Sequence, residues 1–332
     1  MEMLRRRLAY GVAATAAAAL LGLGHGPARA QASDYPSKPV RLLIGFPPGQ
    51  ATDVLGRAIG QRLQEAFGQS FIVDNKPGAS GSIATQLALQ APADGYTLLV
   101  SSSGVMAVNP WLYTKLSYDP LKDLVPVAGL GIVPLVLLTN TSFPPADVKQ
   151  LVAAAKAKPG AINYASSGVG ITNHLVMSMF TTAAGIDMTH VPYKGGPPAL
   201  NDLVAGQVQV MFETSVAALP FVKQGRLRAL AVSSAERIDA APDIPTVAEQ
   251  GYAGFSGVPW VMLVAPAGTP PAIVSKLNAA SNRILQTGEM RQFMSQQGVL
   301  PMVMNQSELA TFVRTESEKW GRAVKDTGAK AE

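Results

Sequence analysis

The 332-residue chain has no cysteine, which excludes disulfide stapling, thiol catalysis and a lipid anchor on an N-terminal cysteine. Histidine is nearly as scarce: His25, His174 and His190 are all there is. Neither of the last two has a second ligand at i+3 or i+4, so no metal site is expected. None of G-x-S-x-G, H-E-x-x-H, G-x-x-x-x-G-K-[ST] or G-x-G-x-x-G occurs, and no cofactor is called for. Aromatic residues make up 6% and charged residues 15%; Lys and Arg nowhere cluster with interleaved aromatics, which argues against nucleic acid as a partner. Beyond Leu23 no apolar run approaches the roughly 20 residues a bilayer span needs.

What is present begins with export. Arg5, Arg6 and Arg7 precede an Ala/Leu-rich run from Leu8 to Leu23, followed by Ala28-Arg29-Ala30. This pattern predicts a secretory signal peptide over residues 1–30, cleaved after Ala30 or Ala32, with Sec a simpler route than the twin-arginine one. Cleavage lowers Lys+Arg from 27 to 23 and Asp+Glu from 22 to 21, leaving a net charge of about +2. A cysteine-free, unanchored exported chain is kept near its cell only by an outer membrane, so a Gram-negative periplasm is expected.

About 300 remaining residues, 48% of the whole chain being hydrophobic, suffice for two domains. Val40 to Phe46 is a continuous apolar run, the mark of a strand buried on both faces. Val54, Leu55, Ala58, Ile59, Leu63, Ala66 and Phe67 then recur at helical spacing up to Gly68. Strands over 71–73 and 96–101 continue the alternation, which predicts an α/β fold with mostly parallel sheets and the turns after Phe46, Val73 and Val100 at one carboxyl edge. The second half repeats the scheme: strands over 134–139, 162–165, 189–192, 207–212 and 226–233, a helix from about Pro145, and a helical last quarter. Ala265 to Pro271 reads as a loop.

Two turns carry the functional signal. IGFPPGQATD (Ile44 to Asp53) and YASSGVGITNH (Tyr164 to His174) each break from a strand into Gly, Pro or Ser and re-enter a helix. Such turns present backbone N–H groups and a partial positive charge to an anion. Gly49, Gly168 and Gly170 permit close approach, and Ser166, Ser167 and Thr172 add hydroxyls. Asp53 is placed to fix the first loop or accept from a ligand ammonium. Phe46 and Tyr193 can wall a cleft, and Glu213, following a strand, can accept from a ligand hydroxyl or amine. Lys76 and Lys194 sit in neighbouring turns. A competing reading is an exported hydrolase using Ser167 (or Ser166) and His174, although no third, orienting carboxylate accompanies them.

These segments, with YPSKPVRLLIGFPPG, N-K-P-G-A-S-G, D-G-Y-T-L-L, V-P-Y-K-G-G, P-D-I-P-T-V-A-E-Q-G-Y and A-P-A-G-T-P, resemble the Bug/TctC family of periplasmic solute-binding proteins of tripartite tricarboxylate transporters, over nearly the full length. The resemblance implies a type II-like, two-domain periplasmic binding protein of the Venus-flytrap kind. One domain would comprise residues 33–133 and 258–332, the other 134–257. It implies a monomer that performs no reaction and closes on a small carboxylate (a carboxylic acid, amino acid or aromatic acid) for a membrane transporter or a sensor kinase. Carried over, Pro48, Gly49 and Ala51 line one pincer, Ser167, Gly168, Gly170 and Thr172 the other, and Ser80, Ser102 and Tyr193 face the ligand. Gln50 stands where the family usually has a second glycine, and it narrows the cleft or reaches the ligand. The Asp common in the family near Gln207–Val210 is also missing.

Overall fold

The computed structural model describes residues 34–330, and the expected signal peptide lies outside them. The chain divides at Tyr35/Pro36; every element below belongs to the larger unit.

The apolar run after Pro39 becomes β1 (Val40–Ile44), with Val40, Leu42, Leu43 and Ile44 fully buried. In α1 (Ala51–Phe67), Leu55, Ile59 and Leu63 recur every four residues as the buried stripe. β2 (Phe71–Asn75), α2 (Ser82–Leu89) and β3 (Thr97–Ser102) follow; one turn of π-helix (Gly104–Val108) then runs into α3 (Asn109–Leu112) and on to β4 (Leu124–Ile132). Next come β5 (Leu135–Asn140), α4 (Val148–Ala157), β6 (Asn163–Ser166), α5 (Thr172–Ala184), β7 (Thr189–Pro192), α6 (Gly196–Val204), β8 (Val210–Thr214), α7 (Ser215–Lys223) and β9 (Leu227–Val232). The chain finishes with β10 (Trp260–Pro266), α8 (Pro271–Gln286), α9 (Gly288–Gln296), β11 (Leu300–Pro301) and α10 (Gln306–Thr327).

Two sheets result, ordered β11-β4-β10-β3-β1-β2 and β7-β6-β8-β5-β9. β1 pairs in parallel with β2 and β3, while β10 runs against both β3 and β4. In the second sheet β6 is parallel to β7 and β8, and β5 runs against β8 and β9. Most strands of each sheet therefore point the same way, with β10 and β5 reversed near the middle and the short β11 also reversed at the edge of the first sheet. The turns after β1, β2 and β3 share one carboxyl edge, where open α/β sheets hold ligands.

Some elements differ from expectation. Helix α4 starts at Val148 rather than near Pro145, because Asp147 caps it by accepting from Gln150 N–H at 2.7 Å. β8 lies over Val210–Thr214 rather than 207–212, since Gln207 N–H turns back to the Asp202 carbonyl in α6 at 2.9 Å. Glu213 consequently sits inside a strand, opposite Val136, not after one. Ala265 and Pro266 are the end of β10 instead of a loop; proline is tolerated at a strand terminus, where no ladder donor is needed.

The chain crosses between sheets through Val133-Pro134 and again between β9 and β10. Ser233, wholly buried, stitches the crossings together: its Oγ accepts from Leu135 N–H at 2.9 Å and donates to the Gly257 carbonyl at 2.7 Å. Val133 N–H also donates to the Pro259 carbonyl at 2.8 Å. α10 packs against both the π-turn and α5. Trp260 and Trp320 anchor its buried face by donating to Glu316 Oε2 at 2.9 and 3.0 Å.

Candidate functional site

Between the carboxyl edges lies a cavity of about 610 Å³, its mouth included. Ala51 and Thr52, the first two residues of α1, line it from the first sheet, and Thr172 and Asn173, the first two of α5, from the second. Their N–H groups have no acceptor within their own helices, and each helix end carries partial positive charge. Thr52 is 5% exposed and its Oγ1, buried in the cavity wall, has no hydrogen-bond partner. A buried hydroxyl left unpaired is costly; among the described residues Ser82, Ser101, Thr139, Ser281 and Asn282 also carry an unpaired buried oxygen.

Within the two loops the glycine amides turn to acceptors of the protein itself. Gly49 N–H donates to Asp53 Oδ2 at 3.0 Å. Asp53 also accepts from Arg57 Nε at 3.0 Å and Asn75 Nδ2 at 2.9 Å. Burial by itself would raise its pKa, but Arg57, Gly49 and Asn75 together hold the carboxyl below its ordinary value. Asp53 thus shapes the loop from beneath.

In the second loop Gly168 N–H donates to Ser166 Oγ at 3.2 Å, Gly170 N–H to His174 Nδ1 at 3.1 Å and Ser167 N–H to Asn173 Oδ1 at 3.3 Å. The loop amides hold the loop. The amides that meet the cavity are those of the helices' first turns.

Of the expected residues, Phe46, Gln50, Ala51, Ser80, Ser102, Ser167, Thr172 and Glu213 line the cavity. Gly168 and Tyr193 line an adjoining outer groove with Lys194; it shares Phe46, Ser80, Ser167 and Ile171 with the cavity. Pro48, Gly49, Asp53, Ser166, Gly170 and His174 line neither. Lys76 pairs with Asp74 at 3.2 Å instead. Tyr193 gives its ring to the groove while its O–H donates to Asp202 at 2.7 Å; burial first, then Asp202, pushes its pKa up to about 12. Ser80 and its neighbour Ala79 hold φ of 51° and 45°, a strained conformation for non-glycine residues that fixes the turn against the cavity.

The sequence reading missed Thr52, Asn109, Asn173 and the floor of Val133, Leu135, Pro259, Trp260 and Val261. The floor comes from the two crossings, more than a hundred residues apart, and has no local signature. Thr52 and Asn173 had one: a hydroxyl or amide in the first turn of each cradle's helix.

Ser167 and His174 are directed to different partners. Ser167 Oγ accepts from Asn173 Nδ2 at 2.9 Å and donates to Glu213 Oε2 at 3.4 Å, while His174 Nδ1 faces Gly170. Ser167 and His174 do not form a nucleophile–base pair. His174 stacks on His190 at 4.0 Å between ring centroids, and His190 Nε2 lies 2.6 Å from Ser166 Oγ, beneath the loop.

Burial lowers the pKa of both imidazoles, and His174 beside it helps bring His190 to about 4. A base with a depressed folded pKa contributes stability above its unfolded value near 6.5 and loses it as pH falls through the folded one. The melting temperature is expected to fall between pH 6.5 and 4, and His190→Gln to flatten that fall. Equal slopes for the two proteins would show that His190 is not responsible.

A cavity floored by two chain crossings and faced by helix starts from two sheets defines a two-lobed solute-binding protein. The chain belongs to the tripartite tricarboxylate transporter family receptors, whose family model matches residues 55–329. It is 39% identical to protein BugT of Bordetella pertussis over 300 residues, 90% of this chain and 92% of that one. Among solved structures it is similar to an R. palustris protein with adipate (35% identity, TM-score 0.87, 89% of this chain and 99% of that one). It is also similar to MatC from Rhodopseudomonas palustris with bound malate (34%, 0.81, 87% and 100%) and to the periplasmic binding protein BugD (31%, 0.83, 90% and 100%).

Proposed function

We propose that this protein captures a small carboxylate in the periplasm and presents it to a tripartite tricarboxylate-type transporter, or to a sensor, without chemical change. The observation that carries this is the convergence of two helix starts from different sheets on one cavity, with the orphaned Thr52 hydroxyl in its wall. The ligand carboxylate lies against the amides of Ala51, Thr52, Thr172 and Asn173. Charge-assisted bonds of this kind contribute about 1.5–3 kcal/mol each, enough to hold an anion where no arginine or lysine lines the inner cavity. The lobes divide at 133/134 and 257/258, where the crossings are stitched, and closure removes water from the helix ends so that they act at low dielectric. The adipate and malate held by similar proteins support the ligand class. The mature chain, freed of residues 1–30, acts as a monomer; among the described residues no helix is long and apolar enough to cross a membrane.

Thermal shift against mono- and dicarboxylates tests the reading. A ligand at 100 times its dissociation constant is expected to stabilise the protein by ~2.7 kcal/mol. Absence of any shift, together with an esterase activity abolished by Ser167→Ala, would refute it.

A further inference from the structure

Glu213 is the sole ionisable side chain among the residues lining the inner cavity, and it is 1% exposed. Its Oε1 accepts from Thr214 N–H at 2.7 Å and Thr214 Oγ1 at 3.1 Å, and its Oε2 accepts from Ser167 Oγ at 3.4 Å. Thr214 N–H is an obligatory donor and the two hydroxyls are able to donate, so the surroundings can satisfy an ionised carboxylate. It also sits two residues before α7 begins at Ser215, where the helix end favours negative charge.

No lysine or arginine lies among the cavity residues to compensate it, and no ion pair to it occurs among the described residues. Burial raises its pKa against the pull of these three bonds, which expresses the cost of holding the charge there without a cation. Opposite it, Gln50 reaches over from α1. Its side-chain amide and Glu213 Oε2 both crowd the point where a Cβ on Gly196 would sit, the Glu213 atom at 2.6 Å. Only glycine leaves room for both groups at that point.

We infer that Glu213 is the counter-ion for a protonated amine on the ligand, so that the cleft selects amino-substituted carboxylates over unsubstituted ones. The inference rests on the carboxylate-capture reading above and deepens it. The ligand's carboxylate takes the helix-end amides, and its ammonium takes Glu213 Oε2. Ser167 and Asn173, bonded to each other at 2.9 Å, join the two subsites. A dicarboxylate without an amine would be placed beside an uncompensated negative charge, which costs it affinity.

Calorimetric titration of the mature protein with matched pairs tests this: succinate and aspartate, glutarate and glutamate, adipate and 2-aminoadipate, butyrate and 2-aminobutyrate. At whichever chain length fits, the amino member is expected to bind at least about tenfold more tightly than its partner, as for a desolvated charge pair. In Glu213→Gln, which keeps the acceptor for Thr214 and whose melting temperature checks folding, that ratio is expected to fall to about one, with the unsubstituted acid bound no more weakly than before. Tighter binding of the unsubstituted acid to the wild type, or a ratio unchanged in the variant, overturns the inference while leaving carboxylate capture intact. Failure of every acid to bind the wild type overturns carboxylate capture itself.

Discussion

Gly170→Ala is expected to weaken ligand binding by about 100-fold or more while the protein stays folded. Gly170 has φ of 72°, and a Cβ there would fall within the side chain of Leu112, itself 1% exposed on α3. The contact joins the loop before α5, attached to the second sheet, to a helix attached to the first. A left-handed alanine costs about 1–2 kcal/mol, and overpacking a filled contact costs about 1–3 more. The protein can relieve both by moving the loop or holding the lobes apart, and either removes the amides of Thr172 and Asn173 from the carboxylate. Since each 1.4 kcal/mol is a factor of about ten in affinity, two orders of magnitude is the expected scale. Titration with the best-bound acid, alongside a melting curve, measures it. Unchanged affinity would mean that the Leu112–Gly170 contact plays no part in capture.

Asp53→Ala is expected to cost about 2–4 kcal/mol of stability and most of the affinity as well. The substitution strips the partner from Gly49 N–H, the Asn75 amide and the Arg57 guanidinium at once. Breaking a buried charge-assisted network costs more than a single hydrogen bond, though Arg57 is half exposed and recovers much of its share from water. Without the Asp53 carboxylate the Gly49 N–H loses its acceptor, and the turn that aims α1 at the cavity is left with the backbone bonds of Gln50 to Pro47, to residue 53 and to Val54. The pH dependence has a definite sign: the folded pKa of Asp53 is depressed, so its contribution is present above the ordinary value of 3.8 and is lost as pH falls through the folded one. Melting curves of wild type and Asp53→Ala should lie furthest apart near neutrality and converge in acid. A constant gap from pH 7 to 3 would show that the carboxylate's charge is not what Arg57, Gly49 and Asn75 stabilise.

The local turns were legible because they are written in contiguous residues. Ile44 to Asp53 and Tyr164 to His174 pair an apolar strand with a Gly-rich break and a helical stripe, and each places its helix start on the cavity. Which atoms face the ligand was not legible. Gly49, Gly168 and Gly170 read as points of close approach, and their N–H groups bind Asp53, Ser166 and His174, because a loop amide takes the nearest acceptor and a turn supplies one within a few residues. β10 escaped notice for a related reason: Trp260–Pro266 runs straight into a Pro/Gly-rich stretch, so composition hid a strand buried along its whole length.

The sequence by itself determined the periodic elements, the two helix starts and the absence of thiol or motif-based catalysis, since these depend on residue identity and spacing along the chain. Only the tertiary structure decided that Gln50 and Glu213 both lie against Gly196, that the crossings floor the cavity with Val133 and Trp260, and that Thr52 is left with an unpartnered hydroxyl. Those are relations between residues tens to more than a hundred positions apart. Strand order and the stitched crossings fix them, and no local pattern encodes either.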